Sequence, residues 1–167
     1  MKKYLHPFEP IVDENSKYLI LGSFPSFDSF KYDFYYANKY NAFWKIMSQI
    51  FSQKAETKSE KTLLMQQHHI ALWDVIYSCE RESSLDTKLK NIQLNDIPSL
   101  LKKYPNIVKV GCNGKKCYEL FVKNFKELDV EVIYLPSTSS ANARMKFEDK
   151  LKAFKDFLEY KEHNEQI

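Results

Sequence analysis

The chain has 167 residues, a length that suits one domain with a core of its own. Hydrophobic residues make up 44% and aromatics 15%, with 12 Phe and 11 Tyr, which excludes a disordered chain and supplies aromatic surface for stacking as well as a core. The formal charge of +3 falls short of the basic excess expected of a protein that coats nucleic acid without preference, yet it allows a local phosphate-contacting patch.

The chain opens Met-Lys-Lys-Tyr-Leu-His-Pro, which lacks the apolar core of a signal segment, and no apolar run reaches about 18 residues. The expectation is a soluble, cytoplasmic protein with no membrane attachment. Residues 17–22 read as a buried strand stopped by Gly22 and Pro25, with a long loop to about 39. Residues 41–51 have helical spacing, with Phe43, Trp44, Met47, Ile50 and Phe51 apolar. A second helix is predicted over 59–68, with Leu63 and Leu64 facing in. The short apolar run 70–76 is another strand, and Asp74 sits near its end.

Residues 78–95 are polar and read as loop-rich. Asn95-Asp-Ile-Pro is a helix start with Pro98 in the first turn, and this helix carries Leu100 and Leu101 and stops before Pro105. A third strand at 107–112, a turn at Asn113-Gly114 and a helix over 115–125 follow. The fourth strand spans 130–135. The last helix, 144–160, carries Leu151, Phe154, Phe157 and Leu158, and 161–167 reads as a frayed tail. Alternating strands and helices predict a single α/β domain over 1–167. Its form is a three-layer αβα sandwich around a mostly parallel four-stranded sheet.

With only three glycines, the chain has no dinucleotide-binding glycine loop and no phosphate-binding P-loop, and no Gly-x-Ser-x-Gly elbow occurs. Cys79, Cys112 and Cys117 lack zinc-site spacing and cannot complete a four-cysteine cluster, so reduced thiols are expected. His68-His69 at a helix end reads as structure rather than as metal ligation, since no third ligand is spaced nearby. Neither a metal nor an organic cofactor is implied.

Two stretches behave as halves of one site. Leu19-Ile-Leu-Gly-Ser-Phe-Pro-Ser and Val130-Glu-Val-Ile-Tyr-Leu-Pro-Ser-Thr-Ser-Ser-Ala-Asn both begin apolar and break at Pro into small polar residues. In a parallel sheet such breaks fall at the carboxyl ends of strands, where ligands bind.

Together with Phe34-Tyr-Tyr, Asn41-Ala-Phe-Trp, Ala71-Leu-Trp-Asp-Val-Ile and Asn113-Gly114, these motifs resemble the uracil-DNA glycosylase superfamily. The branch most similar is the DNA-deoxyinosine (hypoxanthine-DNA) glycosylases, and the resemblance runs from about residue 18 to 157. It implies excision of a deaminated base from DNA by hydrolysis of the N-glycosidic bond. Hypoxanthine is favoured and uracil is second, with a monomeric enzyme acting in base excision repair. A non-catalytic nucleic-acid-binding protein of the same fold is the alternative.

The superfamily's usual catalytic Asp or Asn, two residues after the first motif's glycine, is Phe24 here. The resemblance moves the polar role to Asn41, which could equally cap the following helix. The second motif begins Leu135-Pro136, so no catalytic imidazole is implied there.

The resemblance also makes Tyr36 the stacking face for a flipped base, although packing under the loop would account for it too. Gly22, Ser23 and Phe24 would line the pocket, partly as a turn. Asp74 could orient a base edge or serve structure alone. Asn113 could approach the pocket or be a left-handed turn residue. Ser137, Thr138, Ser139, Ser140, Asn142 and Arg144 would contact the DNA backbone. Their hydroxyls and N–H groups would either hold phosphate at a helix start or cap the last helix.

Overall fold

The computed structural model describes residues 1–160, so the predicted tail over 161–167 lies outside the described residues. The four expected strands are present as β2 (Tyr18–Gly22), β3 (Ile70–Asp74), β6 (Lys109–Asn113) and β7 (Glu131–Leu135). They form one parallel sheet in the order β3-β2-β6-β7. Every residue of β2 and β6 is buried, as expected for central strands covered on both faces.

Alternation along β2 builds both cores. Tyr18 and Ile20 face a cluster with α2 (Phe43–Phe51), α3 (Lys58–Gln67) and α6 (Phe147–Phe157), while Leu19 and Leu21 face a cluster with α4 (Ile97–Lys103) and α5 (Lys115–Phe125). Thr57 and Glu60 close a capping box that starts α3, and Asp96 caps α4 through the Ser99 amide. In α3 the inward residues are Leu64 and Met65; Leu63, expected inside, is 51% exposed.

Several features depart from the sequence-based expectation. A short helix α1 (Phe27–Tyr32), capped by Ser26, interrupts the predicted loop. The N-terminal β1 (Lys2–Leu5), β4 (Ile76–Arg81) and β5 (Lys90–Leu94) form a second, antiparallel sheet in the order β1-β4-β5. Much of the predicted polar loop 78–95 is therefore strand. Exposed Tyr77, Lys90, Asn91 and Gln93 break up the apolar alternation, while Ile76, Ser78, Cys79 and Arg81 are buried.

Only Val75 separates β3 from β4. Its N–H donates to Gly22 O, and Ile76 N–H donates to Ser23 O, so the second sheet is joined directly to the end of β2. The last helix begins at Phe147 rather than 144, which moves its N-terminus away from the serine-rich loop.

Candidate active site

Chain order 2-3-6-7 against spatial order 3-2-6-7 puts the topological switch between β2 and β6. A crevice outside the carboxyl ends of the strands is the expected ligand position there. A cavity of about 430 Å³ lies at that place, lined by residues from all four strand ends. Its size falls within the ordinary range for small-molecule sites.

Gly22 ends β2. A Cβ on it would lie 2.4 Å from Asp74 Oδ1 and 3.0 Å from the Tyr36 hydroxyl, so the missing side chain lets a carboxyl and a phenol converge. Tyr36 has φ +53°, a left-handed conformation that costs a non-glycine residue about 1–3 kcal/mol. Its ring stacks on Phe43, with centroids 4.2 Å apart. The hydroxyl is buried with no partner in hydrogen-bond geometry among the described residues. Burial, reinforced by the Asp74 charge, raises its pKa and keeps it protonated. Tyr35 also lines the cavity, but its polar atoms are engaged: its hydroxyl donates to Glu9 O and its carbonyl accepts from Trp44 Nε1.

Asn41 lines the cavity, and its Oδ1 accepts the Phe43 N–H at 2.9 Å. Since an N–H must meet an oxygen, this bond fixes the amide orientation. Nδ2 is left without a partner among the described residues, as a donor for whatever fills the site. The N-cap of α2 is Ala42, which makes no side-chain cap bond; Asn41 braces the helix start from one position earlier, and this bond is compatible with a ligand-facing Nδ2.

Asn113 ends β6 and clamps the loop after β7. Its Oδ1 accepts the Thr138 N–H at 3.1 Å and its Nδ2 donates to Thr138 Oγ1 at 3.0 Å. The left-handed residue of this turn is Gly114 (φ +102°), not Asn113. The Thr138 carbonyl in turn accepts the Ala42 N–H, so three segments meet at one buried residue. Ser137 and Ser139 form short turns, with their Oγ atoms accepting the Ser139 and Ala141 amides, and Asn142 Nδ2 donates to Ser137 O. Because α6 starts at Phe147, these serines neither cap it nor form its N-terminus. Ser140 and Arg144 are exposed and do not line the cavity, whereas Ser137, Ser139 and Asn142 do, and Thr138 is a brace inside the wall.

Two contributors have no sequence signal. His6 Nε2 lies 2.7 Å from Asp74 Oδ2, and its Nδ1 lies 2.9 Å from Phe8 O. A carbonyl only accepts, so Nδ1 carries hydrogen, and the Nε2–Oδ2 contact must then hold a further proton. Asp86, in a 3₁₀ turn at Asp86–Lys88, lines the cavity and accepts the Ser23 hydroxyl at 2.7 Å. These partners lie 68 and 63 positions apart in the chain, beyond any local pattern.

Phe24 is buried against His6 and Phe30, as a wall. Behind it, Arg81 is enclosed by the rings of Phe24, Tyr4, Phe27 and Phe30. His68 stacks on Phe51, remote from the cavity, and no group of three potential metal ligands occurs among the described residues. All three cysteines are buried and unpaired. No helix among the described residues is long and apolar enough to cross a membrane.

A family model described as the uracil DNA glycosylase superfamily matches residues 9–160. Curated proteins named hypoxanthine DNA glycosylase, from Methanosarcina acetivorans and Methanosarcina barkeri, are each 34% identical over 139 residues, 82% of this chain and 87% of theirs. A solution NMR structure from Methanosarcina acetivorans, assigned provisionally as a uracil DNA glycosylase, superposes with a TM-score of 0.74 at 31% identity. It covers 92% of this chain and 97% of its own.

Proposed function

The chain belongs to the uracil DNA glycosylase superfamily and is a DNA glycosylase; on that premise we propose that it removes hypoxanthine, by hydrolysis and without a covalent enzyme intermediate, at the start of base excision repair. The observation that carries this reading is the Asn41 amide, fixed by its bond to the Phe43 N–H with Nδ2 free at a cavity whose usual catalytic position is the inert Phe24. The names of the two curated relatives point the same way.

A stacked duplex hides the C1′–N bond, so the nucleotide swings out at a cost of a few kcal/mol. The Tyr36 ring, backed by Phe43, offers a stacking face that returns roughly 1–3 kcal/mol. As the bond breaks, the sugar becomes oxocarbenium-like and the base gains electron density. Donors that meet this density lower the barrier, and Asn41 Nδ2 and the buried Tyr36 hydroxyl are two with no hydrogen-bond partner among the described residues. Neither is a nucleophile, which suits a dissociative path with water arriving after bond weakening. Ser139, Ser140, Asn142 and Arg144 face the DNA backbone in this arrangement.

Lys115 is the lysine at the cavity rim, where it is exposed and paired with Glu119 at 3.8 Å. An exposed lysine ion-paired along its own helix is not the desolvated amine that Schiff-base chemistry uses.

The test is a panel of duplexes containing inosine, uracil, xanthine or a thymine mismatch, read out as alkali-sensitive abasic sites. Inosine should be cut fastest, and borohydride should trap no protein–DNA adduct. Faster release of uracil overturns the base assignment, and a trapped adduct overturns the hydrolytic path.

A further inference from the structure

Two carboxyl groups line the cavity, and their surroundings differ. Asp74 is paired: His6 Nε2 lies 2.7 Å from its Oδ2, and its side chain is only 5% exposed. Asp86 has no cation within ion-pair distance among the described residues. Its Oδ1 accepts the Ser23 hydroxyl, which turns the carboxyl so that Oδ2 is left without a hydrogen bond from any described residue.

The charged groups facing Asp86 are Asp74 from the end of β3, Lys116 from α5 and Arg81 from β4. Tyr36, Cys117 and Cys79 also lie within electrostatic range, and all are neutral. Burial is the largest influence and raises the Asp86 pKa. The Asp74 charge adds to it, while the Ser23 hydroxyl, Lys116 and Arg81 oppose it without reversing it. A flipped base would displace the remaining water and extend the same effect.

We propose that Asp86 is the general acid of this site, and that its Oδ2 delivers a proton to N7 of the departing purine. This rests on the assignment of hypoxanthine as substrate. A purine presents at N7 an imidazole-type lone pair outside the glycosidic bond, which a pyrimidine such as uracil lacks. As C1′–N9 breaks, its electron pair enters the purine ring while the Asp86 proton bonds to N7, so the base leaves neutral. Water then bonds through oxygen to C1′, and the proton it releases returns to Asp86. The sum is water added across one glycosidic bond, with no oxidation or reduction. Purine selectivity follows from the chemistry of the acid rather than from shape alone.

Single-turnover excision tests this on duplexes carrying 2′-deoxyinosine or its 7-deaza analogue, which has carbon in place of N7. The wild-type protein should process the 7-deaza substrate on the order of 10²-fold more slowly, the lower range for general acid catalysis. Asp86→Asn should slow inosine release by a similar factor and 7-deazainosine release little further. Asp86→Glu should restore part of the rate. Wild-type rates should fall as pH rises through the Asp86 titration, and Asp86→Asn should flatten that limb.

Equal wild-type rates on the two substrates overturn the proposal without recourse to any variant. An Asp86→Asn protein with wild-type melting temperature and wild-type inosine rate overturns it as well. In both cases inosine is still excised, so the substrate assignment survives. A wild-type protein that releases uracil and leaves inosine untouched removes both together.

Discussion

Asn41 illustrates how one side chain serves two demands. Its oxygen satisfies the Phe43 amide at the start of α2, and the same bond aims its nitrogen at the cavity. Two substitutions separate the roles. Asn41→Ala loses both, so excision should slow at least about tenfold and stability should drop by about 1 kcal/mol, the typical net value of a hydrogen bond. Asn41→Asp keeps an oxygen for the Phe43 amide and replaces the donor by an acceptor. Thermal melting should then match wild type while single-turnover rates stay low. Unchanged rates for either variant would remove Asn41 from the chemistry. Gly22 is the matching case by absence: the site closes because no Cβ stands between Asp74 and Tyr36.

At the scale of elements, the cavity wall depends on the Asn113–Thr138 clamp that ties β6 to the loop after β7. Asn113→Ala leaves the buried Thr138 N–H without an acceptor, a loss of about 1–3 kcal/mol. That should lower the melting temperature by roughly 2–4 °C per kcal/mol for a chain of this size. Because the Thr138 carbonyl also holds the Ala42 amide, excision should fall with it. Asn113→Asp retains the acceptor and should recover most of the stability. A variant that melts like wild type would show that the clamp is dispensable.

The parallel strands were legible in the sequence because buried strands read as continuous apolar runs, and the breaks at Gly22 and Leu135 mark their ends. The second sheet was not. β1 and β5 are largely exposed, and their polar residues, Lys2 and Lys3 in the first and Lys90, Asn91 and Gln93 in the second, resemble loop. The site was legible where residues share a segment with a strand end, as Gly22, Asp74 and Asn113 do. His6 and Asp86 reach it from the second sheet and its connection, so only the folded chain brings them in. The 3.6-residue pattern likewise ran the last helix back to 144, although backbone geometry starts it at Phe147.

For the whole molecule, the aromatic content has a titration consequence. Tyr18 is raised to about 12, by burial and then by its hydrogen bond to Glu159. Burial pushes Tyr35 and Tyr36 upward as well, with Asp74 adding to both. A folded pKa above the unfolded one gives stability that is complete below the unfolded value and is lost as pH rises. Decline should therefore begin near pH 10, the ordinary tyrosine value, and for Tyr18 end near 12. Urea melts with tyrosinate absorbance should show unfolding and ionisation moving together. Ionisation of all tyrosines well ahead of unfolding would contradict the burial of Tyr35 and Tyr36.

The bond between His6 and Asp74 bears on where the functional unit can be cut. The family-matched span begins at residue 9, and a protein trimmed to 9–160 would keep every strand of the parallel sheet. It would lose β1 from the second sheet and the imidazole that shares a proton with Asp74. A boundary drawn by family likeness thus divides the site from a residue that holds it: His6, outside the matched span, fixes the Asp74 carboxyl at the cavity.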